Sequence, residues 1–300
     1  MSRDPTDSHQ FPVQLIDPMP LLYYWHPKNY RLDLNMGAGF HLNQSNPLLH
    51  SIELGDSLWA FTRNKSGRYV LAAELVVKAK TQNPPNFRYG QYRIWGNLKE
   101  SRYFLADDDA PSIDQVVRLL SVKANAKQLG QSFQGHAAVR KITDVDHQML
   151  LAAASGLSLE PRARILPEER LEAAVLLGDE DAVRQLLIEE PSGVAEARAA
   201  YLFSQAPSRN RQLVKELQKI YEGKCQLCGW NPMDEYGHWL CHGHHIHWLS
   251  RGGEDDLKNL LLVCPNHHGA IHACDAQLDY KDFTFNFGVR IEKVELNLHI

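Results

Sequence analysis

Four short segments decide how the last third of this 300-residue chain folds: CQLCG (225–229), HGHHIH (242–247), SRGGEDDLKNLL (250–261) and CPNHHGAIH (264–272). Eight of the 15 histidines lie between His238 and His272, and three of the five cysteines in the chain stand in these segments at metal-ligand spacing. Imidazole and thiolate groups are the ligands that zinc and other transition metals prefer. The segments therefore predict metal binding, and the spacing of their residues predicts two metal sites with different roles.

Two closely spaced pairs of ligands predict a structural zinc site. Cys225-x-x-Cys228 is followed, after 35 intervening residues, by Cys264-x-x-His267. Together they form a Cys3His set, which is a usual tetrahedral environment of structural Zn²⁺. Such an ion holds together a small fold that lacks a large core. Because the number of cysteines is odd and three of them belong to this set, we expect a reduced, cytoplasmic protein rather than a disulfide scaffold.

Four further histidines predict the second site. His268 and His272 are four residues apart, so on a helix they lie one turn apart on the same face. His244 and His245 are adjacent in a β-like stretch, where neighbouring side chains point to opposite faces. One member of this pair can therefore face a metal ion held by the helix, while the other faces a substrate.

This order of motifs resembles the HNH endonuclease family, whose nuclease domain has a ββα-metal fold. The similarity covers about residues 222–275 and includes the His-His-Ile string, the Gly-Gly-x-Asp loop, the Asn-Leu pair and the Cys-Pro-x-x-His helix. It implies that a catalytic divalent ion, Mg²⁺ or Mn²⁺, is held by His244, His268 and His272. It also implies that His245 is the general base that activates water, and that Asn259 orients the loop carrying this base.

Two positions depart from the family pattern. His267 stands where the family usually has a cysteine, and it adjoins His268, so the sequence leaves open which of the two binds which metal. His242 occupies a position where relatives commonly carry an acidic residue. In the loop, Arg251 is a candidate contact for a DNA phosphate, and the Gly252–Gly253 pair is expected to provide flexibility.

The residue types suit phosphodiester hydrolysis. Histidine is the side chain whose ordinary pKa lies near neutrality, which suits a group that takes a proton from water. A divalent ion compensates the negative charge that develops on the leaving oxygen. The alternative is that these histidines hold a second structural zinc, but an adjacent His-His pair is a poor way to build a closed site.

The start of the chain predicts a small β-barrel that selects the target. Residues 1–125 hold 15 of the 27 Phe, Trp and Tyr residues, and β-like runs begin at Ser57, Tyr69 and Tyr92. The strings Gly-Asp-x-Leu-Trp-Ala-Phe (55–61) and Tyr-Tyr-Trp-His-Pro (23–27) resemble PUA-like domains, which include EVE, YTH and SRA domains. That resemblance implies recognition of a modified base that is flipped out and stacked on aromatic side chains. Three tryptophans are candidates for the cage, with core packing as the alternative role: Trp25, Trp59 and Trp95.

The predicted organisation is α+β in three parts: a PUA-like β-barrel over residues 1–130, a helical linker over 131–207, and a zinc-stapled ββα-metal HNH domain over 208–300. Helices are predicted over 111–126, 147–156, 167–178, 180–190, 194–203 and 208–221. Alternation in residues 283–290 predicts a hairpin that closes near Gly288.

Together these features resemble a bacterial modification-dependent restriction endonuclease. Such an enzyme cuts double-stranded DNA near 5-methylcytosine or 5-hydroxymethylcytosine, and a homodimer is expected because cutting both strands requires two active sites. A net charge of −4 requires local rather than global attraction to DNA. No membrane contact is expected, since no apolar run approaches the roughly 20 residues of a span. The alternatives are a nicking or homing-type HNH nuclease that ignores modification, and a zinc-containing DNA-binding protein without catalysis.

Overall fold

The computed structural model describes residues 19–35, 41–97, 99–135, 138–160, 181, 184–185, 208–248 and 253–300. Most of the predicted linker lies outside these ranges, including nearly all residues of three of its four predicted helices (167–178, 180–190 and 194–203), as does Arg251. The described residues form a mixed α+β structure. Among the helices in these ranges, none is long and apolar enough to cross a membrane.

A seven-stranded sheet forms the first part of the structure. Its strands are β1 Leu21–Tyr24, β2 His41–Gln44, β3 Ser57–Arg63, β4 Tyr69–Gln82, β5 Tyr92–Gly96, β6 Arg102–Tyr103 and β7 Val139–Lys141. The order across the sheet is β2–β5–β4–β3–β1–β7, and β6 pairs with β4. The β1–β3 pair is parallel and the other pairs are antiparallel. The three predicted β-like runs therefore correspond to the central strands β3, β4 and β5.

Strand β4 curls this sheet, because its two halves pair with different neighbours. The first half pairs with β3 and the second half with β5, and the register shifts after Ala60 and again after Val77. Such irregularities increase the local twist of a sheet. The predicted barrel is thus present as a curled half-barrel, with one hydrophobic cluster on each face.

Four α-helices accompany the sheet: α1 Pro27–Asn35, α2 Leu48–Ser51, α3 Asp114–Leu119 and α4 Asp144–Ala154. Helix α4 starts three residues before the predicted helix at 147–156, at a capping box in which Thr143 and Asp146 exchange hydrogen bonds. Strand β7 and helix α4 both fall in the predicted linker, yet β7 pairs with β1, and Leu150 of α4 packs in the same cluster as Trp59 of β3.

Helix α3 is much shorter than the predicted helix over 111–126, so that prediction was wrong in extent. The backbone N–H of Ser121 donates to Asp146 Oδ1 at 3.0 Å, which fixes the chain just after the helix. The guanidinium of Arg118 donates to the carbonyl oxygens of Ala124 and Ala126 at 3.2 and 2.9 Å. These contacts replace helical hydrogen bonds with tertiary ones, and local helix propensity cannot report them.

The second part begins with helix α5 Ser208–Ile220, as predicted. Its other elements are α6 Pro232–Tyr236, β8 His242–His245, a 3₁₀ turn Leu257–Asn259, β9 Leu260–Val263, α7 Pro265–Cys274, β10 Leu278–Asp279, β11 Thr284–Asn286 and β12 Ile291–Lys293. Strands β8 and β9 are antiparallel and α7 follows directly, which gives the expected ββα order. The predicted hairpin is β11–β12, with Gly288 at a φ of 86° in its turn.

The sheet and the second part meet along β4. The backbone N–H of Tyr280 donates to Gln82 O at 3.1 Å, and Asp279 Oδ1 accepts from the Gln82 N–H at 3.0 Å. The Lys78 ammonium donates to the carbonyl oxygens of Cys274 and Asp275 at 2.8 and 3.0 Å. It also pairs with the Asp275 carboxylate at 2.8 Å. Strand β4 therefore contacts the C-terminal end of α7.

Candidate metal centres and active site

The structure brings the predicted zinc ligands together from two loops and one helix. One ligand atom from each lies within 4.8 Å of the other three in this set: Cys225, Cys228, Cys264 and His267. The His267 Nδ1 atom lies 3.6 Å from Cys225 Sγ and 3.2 Å from Cys264 Sγ. A tetrahedral zinc with Zn–S near 2.3 Å and Zn–N near 2.0–2.1 Å places sulfur and nitrogen about 3.5 Å apart. The donor set and its spacing fit Zn²⁺.

Burial favours the protonated form of two thiols of this set. Burial raises the pKa of Cys225 to about 12 and also raises the pKa of Cys264. Thiolate is the form that binds zinc, so a bound ion displaces the thiol protons. Cys241 is buried beside the set, and its pKa is raised to about 12, mainly by burial. Cys274, the other cysteine outside the set, is exposed.

A second group of metal ligands forms where β8 faces helix α7. Ligand nitrogens of His244, His268 and His272 lie within 4.8 Å of one another. The ring centroids of His244 are 5.4 Å from His268 and 4.9 Å from His272. Since His267 Nδ1 faces the cysteines while His268 faces His244, the geometry assigns the two neighbouring histidines to different groups. The sequence had left that point open.

The surroundings of His244 fit a bound cation. Its side chain is completely buried, and among the described residues neither ring nitrogen finds a hydrogen-bond partner. Burial, followed by the neighbouring His272, lowers the pKa of His244 well below 6.5. Burial likewise lowers the pKa of His268 to about 4, with His242 as the second cause. Both imidazoles are therefore neutral near pH 7, which is the form that donates a lone pair to a metal ion.

His245 points to the opposite face of β8 from His244, as strand alternation requires. Its Nε2 atom lies 3.1 Å from Asp255 Oδ1, and both side chains are almost entirely buried, at 0% and 3% exposure. The carboxylate accepts a hydrogen bond from the Nε2–H group. Asp255 therefore fixes the ring orientation and makes Nδ1 the basic nitrogen. Sequence reasoning assigned no role to Asp255, although its place after the Gly-Gly pair was part of the motif.

Asn259 fastens the loop between β8 and β9. Its side-chain oxygen accepts from the His247 N–H at 2.8 Å, and its amide donates to His247 O at 2.9 Å and to Glu254 O at 2.6 Å. Gly253 lies against this segment: a Cβ atom there would stand 1.8 Å from His247 O. The glycine is thus needed for close backbone approach, rather than for the flexibility that the sequence suggested. Gly252 lies outside the described residues.

The three tryptophans of the predicted cage are buried side chains with different contacts. Trp25 packs in the cluster on one face of the sheet and Trp59 in the cluster on the other. Trp59 Nε1 donates to His147 Nδ1 at 2.9 Å, and Trp95 Nε1 donates to Thr81 Oγ1 at 2.8 Å. All three side chains are buried. Trp25 and Trp59 therefore lie in different hydrophobic clusters. A cage drawn from all three tryptophans stays a prediction.

Comparison with known proteins gives a family match within the second part of the chain. A model of the HNH endonuclease family matches residues 225–273. This stretch therefore carries an HNH endonuclease domain, and it indicates a nuclease or DNA-binding function. Anaredoxin from Nostoc sp. (strain PCC 7120 / SAG 25.82 / UTEX 2576) is 26% identical over 77 residues, which are 26% of this chain and 93% of that protein.

Proposed function

We propose that this protein is an HNH-type endodeoxyribonuclease that hydrolyses phosphodiester bonds in double-stranded DNA. The observation that carries the proposal is the placement of two groups on opposite faces of one strand. His244 faces His268 and His272 on one side of β8, and His245 faces Asp255 on the other. A buried carboxylate can hold a histidine base in one tautomer, so this pair beside a separate group of metal ligands favours catalysis over a zinc-binding module alone.

In the proposed reaction, His245 takes a proton from the attacking water, and the water oxygen bonds to phosphorus as the bond to the 3′ oxygen breaks. Asp255 holds the imidazole and stabilises it once it is protonated, as a carboxylate does for the histidine of a hydrolase triad. His244, His268 and His272 would hold a divalent ion, which when bound would supply charge compensation for the leaving oxygen. The products are 5′-phosphate and 3′-hydroxyl ends.

Replacement of His245 by Ala separates the nuclease from a DNA-binding module. The nuclease proposal expects cleavage to fall by about 10²–10⁴-fold, the usual contribution of a general base, while DNA binding persists. Binding without cleavage in the wild-type protein, with Mg²⁺ or Mn²⁺ present, would favour the non-catalytic module instead. Zinc content, measured on the same samples, checks that the variant retains its fold.

The finer part of the proposal is that the enzyme depends on base modification. The curled half-barrel is the part that we assign to DNA reading, as a PUA-like domain that accepts 5-methylcytosine or 5-hydroxymethylcytosine. Support comes from its aromatic content and its direct contact with the nuclease through β4. Because two-strand cleavage requires two active sites, we also propose that the protein acts as a homodimer or in pairs on DNA.

One assay tests modification dependence. Matched DNA molecules carrying cytosine, 5-methylcytosine, 5-hydroxymethylcytosine or glucosylated 5-hydroxymethylcytosine are incubated with the protein and a divalent ion. The proposal expects cleavage of one or more modified substrates and little cleavage of unmodified DNA. Equal cleavage of all four would reject a modified-base reader while leaving the nuclease intact.

A second candidate is an HNH nicking or homing-type nuclease that reads unmodified sequence. One observation favours it: Trp25 and Trp59 are buried in two different hydrophobic clusters, and Trp95 is also buried. Nicked circular plasmid as the main product, at the same rate with modified and unmodified DNA, would support this alternative.

A further inference from the structure

The zinc set contains a histidine where thiolate is the family's usual ligand, and that exchange creates a structural requirement. A thiolate presents one donor atom, whereas imidazole has two nitrogens and a ring that can rotate. A histidine ligand therefore needs a partner on its second nitrogen, which fixes the tautomer and the ring plane. His267 uses Nδ1 toward the cysteines, so its Nε2 is the nitrogen that needs this partner.

That partner comes from a distant part of the chain. The Glu292 carboxylate, on β12, lies 2.8 Å from His267 Nε2 through its Oε2 atom. Its other oxygen accepts from Arg290 Nε at 2.6 Å, which leaves Oε2 directed at the imidazole. The His267 and Glu292 side chains are largely buried, at 15% and 12% exposure, so solvent screens this contact only weakly.

The hairpin that carries Glu292 is fixed to the zinc-binding loop. Gln226, the residue after Cys225, is completely buried and its carbonyl oxygen accepts from the Glu295 N–H at 2.8 Å. Its side-chain oxygen accepts from the Leu262 N–H at 2.7 Å, and Phe285 of β11 is in the same core. The chain on either side of Glu292 is therefore held in place, by Phe285 in the core before it and by the Glu295–Gln226 hydrogen bond after it.

We propose that Glu292 is the positioning residue that lets His267 serve as the fourth zinc ligand, which makes the C-terminal hairpin part of the zinc centre. The proposal rests on the zinc site of the proposed function and goes beyond it, since Glu292 lies outside the residues 225–273 matched by the family. Glu292 accepts a hydrogen bond from the Nε2–H group of His267 and so keeps the Nδ1 lone pair directed at the ion.

The test measures zinc affinity of the full chain by competition with a chromogenic zinc chelator. We expect E292Q to weaken zinc binding by about 10–100-fold, the usual effect of losing such a partner. The control variant E295Q changes an exposed carboxylate three residues away and should bind zinc like the wild type.

A double-mutant cycle separates positioning from general stability. In an H267C background the fourth ligand is a thiolate, so adding E292Q should cause no further loss of affinity. Equal zinc affinity of E292Q and wild type would overturn the proposal, as would the same loss in both backgrounds. If E292Q alone fails to fold, a folded, zinc-bound H267C/E292Q protein supports the proposal, and an unfolded one rejects it. No DNA is present, so a failure of the nuclease proposal would leave this result unaffected.

Discussion

Replacement of Gly253 by Ala probes how closely the loop around the base must pack. A Cβ atom at this position would lie 1.8 Å from His247 O and 2.7 Å from His247 C. Real Cβ atoms keep at least 3.0 Å from such neighbours, so the backbone has to move by at least about 1.2 Å. The displaced segment is the one that Asn259 fastens, and it connects His245 to Asp255.

A displacement of that size exceeds the error in position that catalytic groups tolerate. A misplacement of about 1 Å can reduce a rate by about 10²-fold, so we expect kcat of G253A to fall by about that factor. The assay is cleavage of supercoiled plasmid under saturating divalent ion, with zinc content measured in parallel. Zinc should stay bound, because Gly253 belongs to neither group of metal ligands.

Gly269 provides the matched control. It lies on helix α7 next to His268, and a Cβ atom there meets nothing within 4 Å. Alanine is favoured over glycine in a helix by about 1 kcal/mol, so G269A should cleave DNA normally and resist denaturant slightly better. Wild-type activity of G253A would refute the reasoning about close approach, and so would equal losses in both variants.

Three other predictions follow from the site. H245A should retain divalent-ion binding, measured by Mn²⁺ titration, because His245 faces away from the metal ligands; loss of Mn²⁺ binding would contradict this assignment. D255N should lower kcat much more than it raises KM, because Asp255 orients the base rather than the substrate, and a change in KM alone would argue against that role. Because the pKa of His268 is about 4 in the folded protein and near 6.5 when unfolded, its contribution to stability is present above pH 6.5 and is lost as the pH falls toward 4. The free energy of unfolding of H268Q, from urea denaturation, should therefore depend less on pH across this window than that of the wild type, and equal dependence would contradict the prediction.

The closeness of the candidate metal ligands to one another was predictable, because their chemistry is encoded in local spacing. Cys-x-x-Cys, Cys-x-x-His and His-x-x-x-His each need only a tight turn or one helical turn to present two ligands together. The starts of β3, β4 and β5 were equally visible, since alternation and turn residues are local signals.

Features that depend on distant contacts were not predictable in this way. Glu292 meets His267 only because the C-terminal hairpin folds back on the zinc set. Helix α3 ends early because Asp146 binds Ser121, 25 residues away. The clusters in which Trp25 and Trp59 pack were not predictable, because composition gives the number of aromatic side chains but not the face of the sheet on which each one lies. One local signal was missed, the capping box at Thr143 and Asp146 that begins α4.

The contact of Lys78 with the end of α7 limits how this protein can be engineered into chimeras. A helix ends with carbonyl groups that lack partners within the helix, and here Lys78 of β4 binds those of Cys274 and Asp275. The C-terminal end of the helix that carries His268 and His272 is therefore capped by a side chain from the first part of the chain. A chimera that joins the HNH domain to a different N-terminal part would have to supply a replacement cation at that point. Exchange of that part during evolution would face the same requirement.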